Sequence, residues 1–160
     1  MIYFDNAATT RALDIVSERV GHMLLDNYGN PSSQSMMGVR AEREIIEARK
    51  VMASAINALP EEIYYTSGGT ESDNWAVFGT ARGYLRNGRH MITTAIEHPA
   101  MLMPMMQLKE MGWDITVLGV DCAGYIDIDE LKAAVRDDTV LVSTILINNE
   151  TGTIQNAAEI

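Results

Sequence analysis

Apolar residues recur along this chain with two different periods, and the change between them organises it. Leu13, Val16, Val20, Met23 and Leu24 fall at helical spacing, which predicts an amphipathic helix over about 12–26. Tyr28-Gly29-Asn30-Pro31-Ser32-Ser33 reads as a loop by its turn residues. A second helix is predicted from about Val39 to Ile56, with Ile45, Ala48, Met52 and Ile56 on one face. After it, short apolar runs alternate with helical patterns. Strands are predicted near 62–66, 90–95, 114–119 and 139–147, and helices near 70–87, 99–111 and 127–136. Such alternation implies crossover units and a parallel sheet, hence an α/β layered fold with flanking helices. The run Thr139–Ile147 is apolar almost throughout, as expected of a strand buried on both faces.

Polar residues gather just after three of these runs: Ser67 to Asn74, Glu97-His98, and Asn148-Asn149-Glu150. In open parallel sheets, ligands bind beyond the C-terminal strand ends, so the three clusters are expected along one sheet edge. The first is the most informative. Ile63-Tyr64-Tyr65 leads into Thr66-Ser67-Gly68-Gly69-Thr70-Glu71-Ser72-Asp73-Asn74, followed by Trp75, Phe78, Ala81 and Leu85 at helical spacing. That is strand, glycine turn and helix start, with Thr70 as the expected cap and Asp73 at capping-box spacing. Free N–H groups and the positive dipole end suit a phosphate there. Taken alone, His98 reads more often as a structural histidine, and Asn148 and Asn149 most often as turn residues.

Composition narrows the function classes. The 160 residues suffice for one domain with a core. A net charge of −10 without a basic patch argues against nucleic acid as a partner. No apolar run approaches the roughly 20 residues of a membrane helix, so no membrane association is expected. The start Met1-Ile2-Tyr3-Phe4-Asp5 does not read as a signal peptide. One cysteine, Cys122, makes no internal disulfide, and a cytoplasmic location follows as the expectation. No metal site is expected. The methionines Met101, Met105, Met106 and Met111 are expected to pack in the core.

The motifs, taken together, resemble the cysteine desulfurases of the NifS/IscS kind within the class V aminotransferases. Tyr3-Phe4-Asp5-Asn6-Ala7-Ala8-Thr9-Thr10 resembles the family's N-terminal signature. Gly29-Asn30-Pro31-Ser32-Ser33, Gly38 and Glu47-Ala48-Arg49 resemble the next block, with Ser35 where many members carry histidine. The turn 66–74 resembles the cofactor phosphate turn. Thr93-Thr94-Ala95-Ile96-Glu97-His98-Pro99-Ala100 resembles the block of the ring-stacking histidine. Asn148-Asn149-Glu150-Thr151-Gly152-Thr153-Ile154-Gln155 resembles the block of the cofactor-contacting asparagine.

The resemblance implies pyridoxal 5′-phosphate as cofactor and the N-terminal part of a fold type I large domain. It implies that Gly69 and Thr70 hold the phosphate, that His98 stacks on the ring and relays protons, and that Asn149 bonds the phenolic oxygen. It further implies L-cysteine as substrate, alanine as product, a sulfur-acceptor protein in iron–sulfur cluster or other sulfur-carrier pathways, and a homodimer in the full-length form. Lys50, Lys109 and Lys132 do not stand in the family's serine-any-histidine-lysine setting, and Cys122 is not in the place of the nucleophile.

By resemblance, residues 1–60 form an arm and helices, and 61–160 begin the cofactor domain. The first strand, 62–66, is expected to lie apart from the next three. The Schiff-base lysine, the aspartate on the pyridine nitrogen and the small domain are expected later in sequence, and the 160 residues alone to be inactive. A selenocysteine lyase, another class V enzyme and a non-catalytic partner-binding module remain open at this stage.

Overall fold

The computed structural model describes residues 2–160. Its contacts divide the chain into two units, Met1–Tyr65 and Thr66–Ile160.

In the first unit, α1 spans Asp14–Leu25 and α2 spans Met36–Ala55. Asp14 opens α1 at the positive end of its dipole and pairs with Arg11, while His22 in its last turn meets Asp26 at 2.9 Å. Ser35, at the position where the sequence departs from the family pattern, caps α2, its hydroxyl accepting the Gly38 N–H at 3.1 Å. Two glycines close the intervening loop. A Cβ on Gly29 would fall 2.3 Å from the Met37 carbonyl oxygen, and one on Gly38 would fall 2.2 Å from that of Ser33. The Arg19–Glu44 ion pair links the helices, and the Arg49 guanidinium stands over the Tyr65 ring at 5.4 Å. Packing is slight. Helix α1 buries nothing, and α2 buries only Gly38, Ala41 and Ala53.

The segment 62–66 does not form the expected strand. Pro60–Glu62 makes a 3₁₀ turn, in which the Glu62 carboxylate accepts the Leu59 N–H at 2.7 Å. The chain beyond runs on without a strand partner among the described residues. A strand needs a neighbour for its backbone groups, and Tyr65 instead donates its hydroxyl to the Ile45 carbonyl at 3.4 Å.

In the second unit the elements run α3 (Gly69–Gly83), β1 (His90–Thr94), α4 (Pro99–Glu110), β2 (Asp114–Leu118), α5 (Ile128–Ala134) and β3 (Thr139–Val142). The strands form a parallel sheet in the order β2-β1-β3, so β1 is central and each crossover carries a helix. Alternation along β1 divides the core. Met91 packs with Val77, Ala81, Met105, Leu108, Trp113 and Ile115, while Ile92 packs with Leu118, Ile126 and Leu131. Of the four methionines expected inside, Met105 is buried and Met101 and Met106 line the cluster, but Met111 is 65% exposed at the C-terminus of α4.

The fourth apolar run also departs from expectation, because β3 stops at Val142. As an edge strand beside β1 alone it is half-buried at best, not covered on both faces. Past it, Ser143 N–H still donates to the Ile92 carbonyl at 2.9 Å. Residues 146–155 then turn back on themselves through an antiparallel bridge between Ile147 and Ile154.

One polar side chain spans the whole sheet. His90 on β1 is fully buried, with Nδ1 2.7 Å from the Thr139 hydroxyl on β3 and Nε2 2.9 Å from the Thr116 hydroxyl on β2. Burial lowers its pKa from the ordinary histidine value, helped by the Arg136 charge and opposed by Asp114 and Asp138.

Candidate functional site

Helix α3 begins one residue earlier than the sequence pattern suggests, and its cap differs. Gly68 occupies the capping position, and Thr70 is the second helical residue, with no side-chain cap. Glu71, not Asp73, performs the reach-back: its carboxylate accepts the Ser67 N–H and the Ser67 hydroxyl, each at 2.7 Å. These bonds, the backbone one first, lower the Glu71 pKa. The first N–H groups of a helix have no intrahelical acceptor. Here those of Gly69 and Thr70 have no acceptor among the described residues, and a Cβ built on Gly68 or Gly69 meets nothing within 4 Å.

His98 is the N-cap of α4. Its Nδ1 accepts the Ala100 N–H at 3.1 Å, which leaves Nε2 as the proton-bearing nitrogen of the neutral ring. Pro99 at the first helical position needs no acceptor. Thr70, Asn74 and His98 line one cleft of about 630 Å³, whose floor is Ala100, Met103 and Met106 of α4. The structure therefore brings Thr70 and His98 together, at the end of the sheet where β1 runs out.

Asn149 is not part of that lining. It sits exposed at the tip of the 146–155 hairpin, its Nδ2 3.1 Å from Glu150 Oε1. Its neighbour Asn148 is 5% exposed and donates Nδ2 to the Ile96 carbonyl at 2.9 Å. That bond ties the hairpin to the segment carrying His98.

Glu97, half-buried in the same segment, accepts the Thr94 hydroxyl at 3.3 Å and the Ile145 N–H. Burial raises its pKa, the two hydrogen bonds oppose the rise, and the Asp73 charge adds to it. In the sequence Asn148 reads as a turn residue and Glu97 as one member of a polar cluster. The available signal was position: Asn148 ends the apolar run Ile145-Leu146-Ile147, and a polar side chain drawn inside by such a run must find partners.

The donor set suits a phosphorylated aromatic ligand. Open N–H groups and the Thr70 hydroxyl address an oxyanion at a helix N-terminus, and the exposed His98 ring offers a flat face. Among the described residues lining the cleft there is no lysine or arginine, so an anion there is held by amides and the helix dipole. Lys50 pairs with Glu47 at 2.7 Å, Lys132 stands 3.8 Å from Asp129, and Lys109 is exposed on α4. Cys122 is exposed in the turn between β2 and α5.

Known proteins are similar to this chain in sequence and in fold. A family model described as aminotransferase class-V matches residues 2–160. A cysteine desulfurase IscS of Neisseria gonorrhoeae is 47% identical over 156 residues, covering 97% of this chain and 39% of that protein. Among solved structures, a NifS-like protein superposes with a TM-score of 0.93 at 41% identity, over 97% of this chain and 43% of the other. SspA, solved in complex with cysteine, also gives 0.93, at 34% identity, over all of this chain and 46% of its own. The chain thus spans about two-fifths of the length of the curated relatives it matches.

Proposed function

Since the chain belongs to the aminotransferase class-V family, matched over residues 2–160, we propose that it carries the phosphate- and ring-binding side of a pyridoxal 5′-phosphate-dependent cysteine desulfurase. The observation that carries this reading is the shared cleft of Thr70 and His98 at the N-termini of α3 and α4. Relatives named cysteine desulfurase and a neighbour solved with cysteine support L-cysteine as substrate.

When bound, the cofactor supplies an electron sink for bond cleavage at the substrate. The chain's own residues supply position and protons. The N–H groups of Gly69 and Thr70, with the Thr70 hydroxyl, hold the phosphate. The His98 ring covers one face of the pyridine and carries a mobile proton at Nε2, because Nδ1 is committed to Ala100. Asn149, whose Nδ2 reaches Glu150, would give up that partner to donate to the phenolic oxygen. Family chemistry leaves alanine and passes sulfur to an acceptor protein, as in iron–sulfur cluster assembly. A cytoplasmic homodimer is the matching whole. None of the three lysines lies in the cleft, so residues 1–160 alone are expected to bind the cofactor non-covalently and to turn over no cysteine.

The test is a titration with pyridoxal phosphate, followed by absorbance, of wild type, Thr70→Val and His98→Ala. Saturable binding that weakens about ten-fold in each variant supports the site, the order a lost hydrogen bond or ring contact commands. Failure of wild type to bind sinks it. Alanine release from L-cysteine compared with L-selenocysteine, by the protein expressed from its own gene, then separates a desulfurase from a selenocysteine lyase.

A further inference from the structure

Resting on that reading of the cleft, we propose that Asn148 is a positioning residue: by tying the segment after β1 to the segment after β3, it holds His98 and Asn149 at one fixed spacing. Two bonds cross between these segments, in opposite directions. Asn148 Nδ2 donates to the Ile96 carbonyl at 2.9 Å, and the Ile145 N–H donates to the Glu97 carboxylate. His98 follows Glu97 directly, and Asn149 follows Asn148. Each site residue is therefore one peptide from a locked neighbour.

The rest of the Asn148 side chain shapes the loop. Its Oδ1 accepts from the N–H groups of Glu150 and Thr151, both at 2.9 Å, and from the Thr151 hydroxyl at 3.2 Å. The far end of the hairpin is fixed as well. Thr153 donates its hydroxyl to the Ala123 carbonyl at 2.6 Å, and Gln155 donates Nε2 to that of Gly124 at 2.6 Å while accepting the Ile126 N–H at 3.3 Å. Among the described residues Asn149 has no such anchor of its own, since its amide reaches the adjacent Glu150 alone. Its place is inherited from residue 148.

The two halves of the Asn148 amide separate the roles. A turn needs only Oδ1, and aspartate supplies that acceptor equally well. The link to Ile96 needs Nδ2, and an aspartate would set a carboxylate oxygen against a carbonyl oxygen instead. Asn148→Asp therefore keeps the turn chemistry and breaks the tie.

The experiment uses the protein expressed from its own gene and three readouts: the Kd for pyridoxal phosphate, the pH midpoint of the bound cofactor's absorption band, and the thermal midpoint of the cofactor-free form. Wild type, Asn148→Asp, Asn149→Ala and the double variant complete a cycle. We expect Asn148→Asp to weaken cofactor binding about ten-fold, and to move the absorption midpoint in the same direction as Asn149→Ala. It should cost less than two-fold when added to Asn149→Ala.

The second bond gives an independent variant pair, of which Glu97→Ala should reproduce the loss and Glu97→Gln should restore binding. Equal losses in both Asn149 backgrounds, or a lowered thermal midpoint with an unmoved absorption midpoint, would make Asn148 purely structural and overturn the proposal. Should Asn148→Asp not fold, the Glu97 pair decides by the same absorption midpoint. Wild type that binds no cofactor removes the functional reading itself, an outcome distinct from wild type that binds and variants that match it.

Discussion

The two units of this chain use apolar residues at similar frequency and to opposite effect. In 66–160, Met91, Ile92 and Met105 have no exposed surface and Leu108 and Leu118 have 2% each, because helices on both faces of the sheet give the central strand β1 something to meet on either side. In the described part of 1–65, Leu13, Ile15, Leu24 and Leu25 are each more than two-thirds exposed, and what is buried is glycine and alanine. Both units contain well-capped helices. A helix satisfies its own backbone from local sequence, so it forms whether or not its apolar stripe finds a partner, whereas a strand exists only as a pair. Secondary structure and core are therefore separable achievements, and the first unit shows one with little of the other.

The sharpest way to break that contrast is a pair of truncations. Ile92→Ala should cost about 2–5 kcal/mol, as for a fully enclosed aliphatic side chain. Val16→Ala on α1, at 51%-exposed Val20's end of the same stripe and itself 47% exposed, should stay within about 0.5 kcal/mol. Denaturant unfolding of the two variants reads the difference, and equal costs would mean that α1 is covered in solution.

A smaller effect sharpens the comparison from the other side. The first unit is tightly fitted at the loop before α2, where Gly38 meets the Ser33 and Asn30 carbonyls. Gly38→Ala should cost about 1–3 kcal/mol through that clash, against a helix-propensity gain of up to about 1 kcal/mol. Circular dichroism during thermal unfolding checks it. A stabilised variant would show that the loop 29–35 yields freely.

The smallest effect is electrostatic and belongs to the second unit. The folded-state pKa of His90 is lowered, so the folded sheet refuses a proton that the unfolded chain accepts. Stability should therefore be unaffected by His90 above about pH 6.5 and fall as pH drops from there toward the folded-state value. Glu97, whose pKa is raised, acts in the opposite sense, costing stability as pH rises past the ordinary carboxylate range. The clean readout is thus the slope difference between wild type and His90→Gln in urea unfolding. Identical slopes would show that Thr116 and Thr139 accept the charged ring without cost.

What was legible in the sequence follows the same division. The helical periods of α1 and α2 and the alternation that yields β1, β2 and β3 were readable to within a few residues, because period and turn chemistry are local. The runs 62–66 and 143–147 read as strand and form none, because β-propensity says that a segment fits a strand and nothing about whether a neighbour is there. In the site, Thr70 and His98 were legible as residues following strands at helix starts, although the cap itself fell to Gly68 and Glu71. The burial of Asn148 was not. An asparagine that closes a turn and one that also ties two loops have the same sequence neighbours, and the tie reaches back 52 residues to Ile96.

The placement of β1 between two later strands also sets a timetable. During synthesis His90 is made 26 residues before Thr116 and 49 before Thr139. At roughly 5–20 residues per second, the ribosome takes about 2–10 s to deliver the second hydroxyl. Through that interval the central strand has at most one flank, and its histidine is half-wrapped. Of these three strands β3 emerges last, and it is the one that gives β1 its second flank, so the imidazole is sequestered only once Thr139 has been made.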